Sequence, residues 1–381
     1  MIIGFDGKRA VRNTTGLGNY SRLVINTLAT YRPENEYFIY SPSGDSEHRL
    51  ESRPNAVLKL PDTKFGQKFG AIWRTGLRGG ISRQLVNDHV MLFHGLSNEL
   101  PLNINRFHIP SVVTVHDLIY IRRPEMYKRA DRIMYNYKYG NSARNATRVI
   151  AISQCTKRDL VELQGVEESK IDVIYQGCDP IFRREITADE ISEVKNRYNL
   201  NAPYIIGVGT IERRKNQLLS VQALGTMKDK DVNLVLVGRQ TPYCEEIKAE
   251  AKRLGLLNRI RFISGADFKD FPALYAGAVA SSYPSRYEGY GLPVVESLSV
   301  GTPVVVASGS CLEEAGGSST PVVNPDDAEA LGHYLSRLIN DNQFRQETID
   351  AGRRHALAYS DKNFADEIFN TYLKAISEHR L

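Results

Sequence analysis

Cysteine is scarce in this chain. Cys155, Cys178, Cys244 and Cys311 are widely separated, form no C-x-x-C pair and have no histidine at metal-ligand spacing. That pattern excludes a disulfide framework and a zinc site, and it fits a reducing cytoplasm in which each thiol is a small buried side chain. Long apolar runs are missing as well. No segment approaches the roughly eighteen residues that a spanning helix needs, and the start, MIIGFDGKRA, reads directly into a strand. Neither a signal peptide nor a membrane-spanning helix is therefore expected. What remains is 42% hydrophobic and 24% charged over 381 residues, a globular composition on a chain too long for one core, so two domains are expected.

Acidic side chains are short in one region. The whole chain carries a net +5, but residues 61–148 alone hold 14 basic and 6 acidic side chains. Something anionic is expected to meet the N-terminal half. Within it, Lys64 to Ser82 places Phe65, Phe69, Ile72 and Trp73 at helical spacing among Lys64, Lys68, Arg74 and Arg78. A helix of that kind can lie on an anionic membrane surface or pack its apolar stripe on a sheet, and its glycines argue against a long regular helix. No nucleic-acid partner is expected.

The most ordered pattern is SSYPSRYEGYGLPVVESLSVGTPVVVA, Ser281 to Ala307. The apolar lead-in from Leu274 to Pro284 reads as a buried strand, and Glu288-Gly289-Tyr290-Gly291 as a tight turn. Pro293 suits the first position of a helix, and Gly301 with Pro303 stops it before the strand-like run Val304-Val305-Val306. Strand, glycine turn, helix and strand leave free N–H groups from Gly289 to Val294 at the positive end of a helix dipole, an anion site. Glu288 in the turn and Glu296 early in the helix can face one crevice. The alternative reading has Glu296 complementing the dipole and Glu288 solvated.

These residues carry a resemblance. The string P-S-x-Y-E-G-[FY]-G-L-P-V-x-E-S-x-x-x-G-T-P-V-V, with Glu288 and Glu296 as its E-x7-E pair, resembles the signature of the retaining, nucleotide-sugar-dependent glycosyltransferases of family 4. That family has the GT-B fold, an α/β architecture of two Rossmann-like domains with a cleft between them. The resemblance implies an acceptor-binding domain over residues 1–185, a nucleotide-sugar-binding domain over 200–360, and a C-terminal helix, 361–381, crossing back to the first domain.

Read with that resemblance, the first strand, Ile2 to Asp6, is followed by a glycine turn, Gly16 and Gly18, entering a helix at Tyr20. A dinucleotide site is disfavoured there, because the third glycine is missing and the next strand ends on Ser41 rather than an acid. The family places such a loop between the domains, against the donor and acceptor, which is the role implied for Gly16 and Gly18. Val112 to Val115 ends at His116-Asp117. The family's V-x-V-H-D histidine lies beside the donor sugar, so His116 takes that role, with Asp117 on the acceptor side or orienting the imidazole. The Arg-, Lys- and Tyr-rich stretch from Arg122 to Arg148 reads as a solvated helix face and as a candidate for acceptor contact.

In the second half, the strand Tyr204 to Val208 runs into Gly209-Thr210-Ile211-Glu212-Arg213-Arg214-Lys215-Asn216. Adjacent cations at a strand exit can grip a diphosphate, Arg by its fork and Lys as a point charge. The segment is similar to the family's G-T-x-E-x-R-K-N, which assigns Arg214 and Lys215 to the phosphates. Thr210 stands where some relatives carry another arginine. Gly238 and Gly265 match the segments that bound the nucleotide base. With Gly289, Tyr290, Gly291, Leu292 and Glu296 they complete the implied donor site, where Glu288 holds the hexose hydroxyls and Glu296 the ribose. Asp229-Lys230-Asp231 is a formal D-x-D metal motif but sits in a polar turn, and no metal or cofactor is expected beyond the nucleotide sugar.

The implied activity is transfer of a hexose, mannose from GDP-mannose by likeness to bacterial mannosyltransferases of surface-polysaccharide assembly, to a saccharide acceptor that is lipid-linked. The implied location is the cytoplasm, at the inner face of the plasma membrane. A UDP-hexose donor, a nucleotide-sugar epimerase of the same fold, and a non-catalytic sugar-nucleotide-binding protein are the alternatives.

Overall fold

The computed structural model describes residues 1–379 and divides into two compact units, Met1–Gln176 with the segment from Ser360 onward, and Gly177–Tyr359. Each is built on a wholly parallel sheet. In the first unit the strands are β1 (Ile2–Asp6), β2 (Glu36–Tyr40), β3 (Ala56–Lys59), β4 (Leu92–Gly95), β5 (Ser111–Val115), β6 (Arg148–Ala151) and β7 (Ile171–Val173), in the order β3-β2-β1-β4-β5-β6-β7. In the second they are β8 (Tyr204–Val208), β9 (Asn233–Val237), β10 (Ile260–Ile263), β11 (Ala280–Tyr283), β12 (Val304–Ala307) and β13 (Val322–Val323), in the order β10-β9-β8-β11-β12-β13. Central strands such as SVVTV, YIIGV and VVVA are buried at every residue, as strands covered by helices on both faces must be. Both units are Rossmann-like, and in each the strand order reverses beside the first strand, β1 or β8. Ligands of open α/β sheets bind at the carboxyl ends of the strands at such a reversal.

The C-terminal helix, Asp361–His379, belongs to the first unit. It buries Phe364, Ile368 and Tyr372 and is tied at its edges by Arg148 to Glu378 (2.6 Å), Lys374 to Asp172 (2.8 Å) and Arg32 to Asp366 (2.8 Å). Among the described residues, no helix is long and apolar enough to cross a membrane.

Several expected elements differ. Leu274 to Ala276 end a short helix, Phe271–Ala276, and the strand begins only at Ala280. Short apolar runs fit either state, and Pro272 in the first turn favours the helix. Gly16 and Gly18 lie inside a helix that starts at Gly16, not in a turn before Tyr20. Asn13 makes that start: its side chain accepts from the amide and hydroxyl of Thr15, both at 2.7 Å. Lys64 to Ser82 is not one helix but Lys64–Lys68, Gly70–Arg74 and a third helix beginning at Gly80. Its glycines break it. Trp73 turns into the core at 1% exposure and Arg74 pairs with Asp6 and Glu99, while Phe69, Ile72 and Leu77 stay exposed. The helix Asn342–Leu357 was not foreseen. Asp229, in the polar turn of the formal D-x-D, accepts from Ser336 and Asn340, each at 2.9 Å, and so anchors the helix Ala328–Asn340.

Candidate active site

Three glycines open the carboxyl edge of the second sheet. Gly209 follows β8 at φ 130°, and a Cβ there would fall 2.9 Å from the Lys215 side chain. Gly238 follows β9 at φ 152°, where a Cβ would meet the Gly209 carbonyl oxygen at 2.1 Å. Only glycine fits both places, which lets the two strand exits touch and lays the Lys215 stem across the edge. Gly265 follows β10 at φ 71° with open space around it. The loops leaving β8 and β11 are stitched together by the Arg286 amide donating to the Arg214 carbonyl (2.8 Å) and the Asn216 side chain donating to the Pro284 carbonyl (3.1 Å).

Between these loops the predicted residues converge. The Lys215 ammonium lies 2.7 Å from one Glu288 oxygen and 2.5 Å from the Tyr283 hydroxyl, and the Arg214 guanidinium pairs with the other Glu288 oxygen. Arg214 also donates to the Tyr287 carbonyl (2.9 Å) and pairs with Glu212 at 2.7 Å. Burial alone would raise the Glu288 carboxyl, but the Lys215 and Arg214 charges outweigh it and hold the group down at about 2. Burial opposes the charge on Lys215, whereas Glu288 raises its affinity for the proton above the usual lysine range. The two cations and the carboxylate, expected to divide between phosphate and sugar, form one buried ionised cluster.

Glu296 differs. Burial pushes its carboxyl up to about 7, only partly offset by the Tyr275 hydroxyl, which donates to it at 3.1 Å. It sits in the helix Leu292–Val300, whose start is shaped by Gly291 at φ 102° and by Pro293 in the first turn. That start offers fewer donors than expected. Pro293 has no N–H and the Val294 amide donates to the Gly291 carbonyl at 2.9 Å. Tyr290 is buried, its ring edge-on to Tyr359.

His116, Asp117, Gly16 and Gly18 belong to the first unit. His116 follows β5, its ring edge against Tyr20 at 4.7 Å between centroids, and Nε2 donates to the Leu96 carbonyl at 2.9 Å, which leaves Nδ1 as an acceptor. Burial holds the ring neutral, its pKa down to about 4. Asp117 accepts from the Ile119 amide at 3.1 Å. Tyr20 is placed in turn by Thr114 (3.1 Å), which contacts buried His94 (2.9 Å). Gly18 is needed because a Cβ there would meet the Asn13 carbonyl oxygen at 1.9 Å, whereas Gly16 faces open space.

Residues 189–355 match the family described as Glycosyl transferases group 1, and residues 16–182 match Glycosyltransferase Family 4. The chain belongs to glycosyltransferase family 4. It is similar to O-antigen chain mannosyltransferase B of Escherichia coli, 27% identical over 94% of this chain and 96% of that protein. It is likewise similar to the MMP alpha-(1->4)-mannosyltransferase of Mycolicibacterium hassiacum, 27% identical over 95% and 88%. Among solved structures, sucrose-phosphate synthase from Thermosynechococcus elongatus shares the fold at TM-score 0.77 and 18% identity over 98% of each chain. Anabaena HepE, solved with UDP and glucose, does so at 0.73 and 20% over 98% and 99%. This glycosyltransferase therefore carries the GT-B fold, each of its units supplying one Rossmann-like domain.

Sequence reasoning missed Tyr283 and Tyr275, the hydroxyl partners of Lys215 and of the two glutamates. Tyr283 had a signal, as the last residue of a strand at the carboxyl edge, whereas Tyr275 was hidden in a segment read as strand.

Proposed function

We propose that the protein transfers mannose from GDP-mannose to a lipid-linked saccharide with retention of anomeric configuration and without a metal. The observation that carries the reading is the buried cluster of Glu288, Lys215 and Arg214 at the strand reversal. It presents an ionised carboxylate for sugar hydroxyls beside two cations for a diphosphate. The choice of mannose is supported by relatives named as mannosyltransferases across nearly the whole chain.

In this reading the bond between the anomeric carbon and the diphosphate breaks as the acceptor oxygen attacks, and the acceptor's proton passes to the leaving phosphate. Lys215, Arg214 and the start of the Leu292 helix stabilise charge growing on that phosphate. Glu288 orients the hexose, neutral His116 accepts a sugar hydroxyl through Nδ1, and Glu296 binds the ribose. Gly238 and Gly265 leave room for the base, and the cytoplasmic membrane face supplies the acceptor.

The test incubates purified protein with GDP-mannose, UDP-glucose or UDP-galactose, with and without saccharide acceptors, with EDTA present. Acceptor-dependent GDP release, unaffected by EDTA, is expected. Preference for a UDP-hexose would overturn the donor, a magnesium- or manganese-reversible loss the metal-free chemistry, and an epimer formed without acceptor the transferase reading.

A further inference from the structure

At the opposite edge of the second sheet, where chain enters β11 and β12, lies a cavity of about 630 Å³ whose wall includes Arg183, Arg184, Arg345 and Arg353 and a single acid, Glu185. Two of the four are already engaged: Arg184 pairs with Glu190 through both terminal nitrogens (2.7 and 3.1 Å), and Arg183 donates to the Cys178 carbonyl at 2.5 Å. Arg345 and Arg353 project from one helix, Asn342–Leu357. Arg353 donates one nitrogen to the Val300 carbonyl at 2.9 Å and lies against Gly301, where a Cβ would fall 2.4–2.6 Å from its guanidinium. Arg345 uses one nitrogen for the carbonyls of Val279 and Leu338. Neither has an ion pair among the described residues.

Capping those carbonyls accounts for one nitrogen of each guanidinium and leaves the others on the wall. Burial lowers the proton affinity of Arg345 with no carboxylate to offset it. A half-buried cation such as Arg345, lacking counter-charge at an open cavity, is costly unless an anion joins it, and the guanidinium fork, that of exposed Arg353 included, is matched to phosphate oxygens.

We propose that this cavity is a second anion site, binding a phosphorylated small molecule through Arg345 and Arg353. It is distinct from the glutamate cluster and does not depend on the donor reading. Glycine at 301 serves it by closing the helix Leu292–Val300 at φ 94° and by letting Arg353 approach.

The test is calorimetric titration of inorganic phosphate and of glucose 6-phosphate, with uncharged glucose as control, into wild-type and Lys215→Ala protein. The second protein weakens phosphate capture at the donor site. A saturable, salt-sensitive equivalent that persists in Lys215→Ala is expected, absent with glucose, and weakened on the order of tenfold by Arg353→Gln. Arg345→Gln should act likewise, and if losing its carbonyl contacts prevents folding, exposed Arg353 decides alone. No saturable binding at millimolar concentration, binding lost in Lys215→Ala, or unchanged affinity in folded Arg353→Gln would overturn the site.

Discussion

Glu288 and Glu296 stand eight residues apart in one glycine-turn-helix unit, yet their surroundings drive them in opposite directions. Both are buried. Glu288 meets two cations and stays ionised down to about 2, whereas Glu296 meets one neutral hydroxyl and holds its proton up to about 7. Desolvation is common to both, so the partner decides the charge state. The loop after β8 delivers Lys215 and Arg214 to one glutamate and leaves the other to Tyr275.

The comparison breaks most visibly in stability. Glu288→Gln leaves buried cations without their carboxylate and should cost about 3–5 kcal/mol. Glu296→Gln should instead stabilise the protein above neutral pH, by on the order of 2–3 kcal/mol, because it removes a carboxylate that folding prefers protonated. The pH dependences have opposite sign. The Glu288 contribution is present above its unfolded value near 4.5 and lost as pH falls toward 2, whereas the protonated Glu296 favours folding below 4.5 and that preference is lost as pH rises to about 7. Denaturant unfolding of both variants across pH checks this, and equal destabilisation at pH 8 would erase the distinction.

Much of this was legible in residues whose chemistry is local. Gly209, Gly238 and Gly291 announce strand exits and a turn because only glycine fits there, and the E-x7-E pair and the R-K pair fall where the fold puts them. What sequence did not show depends on distant packing. Trp73 belongs to an apolar stripe by spacing but to the core by structure, because the glycines around it break the helix. Gly16 and Gly18 read as a turn until the Asn13 side chain is seen starting a helix. The protonation of Glu296 follows from its enclosure and from Tyr275, twenty-one residues away in sequence and misplaced in a strand.

If the cluster acts on the leaving group as proposed, Lys215→Ala should lower kcat/KM by on the order of 10² to 10³, since it removes one of the two charges there. A change under about threefold in a folded protein would detach the cluster from catalysis. A smaller effect sharpens the other side. If the ribose needs an acceptor at Glu296, donor KM should fall several-fold as pH rises through about 7, with the pH dependence abolished in Glu296→Gln. Tyr275→Phe, the mildest change, removes a hydrogen bond that favours the charged carboxylate. It should move that transition upward by roughly half a unit to one unit. A transition unmoved by Tyr275→Phe would assign it to another group.

The most direct test varies the donor at saturating acceptor in Glu288→Ala and Glu296→Ala. If Glu288 orients the reacting sugar, its loss should lower kcat by on the order of 10² while the donor still binds. If Glu296 holds the spectator ribose, its loss removes about 1.5–3 kcal/mol of binding common to ground and transition states, raising donor KM with kcat kept within a few fold. The reverse pattern, with Glu288→Ala raising only KM and Glu296→Ala abolishing kcat, would contradict the account.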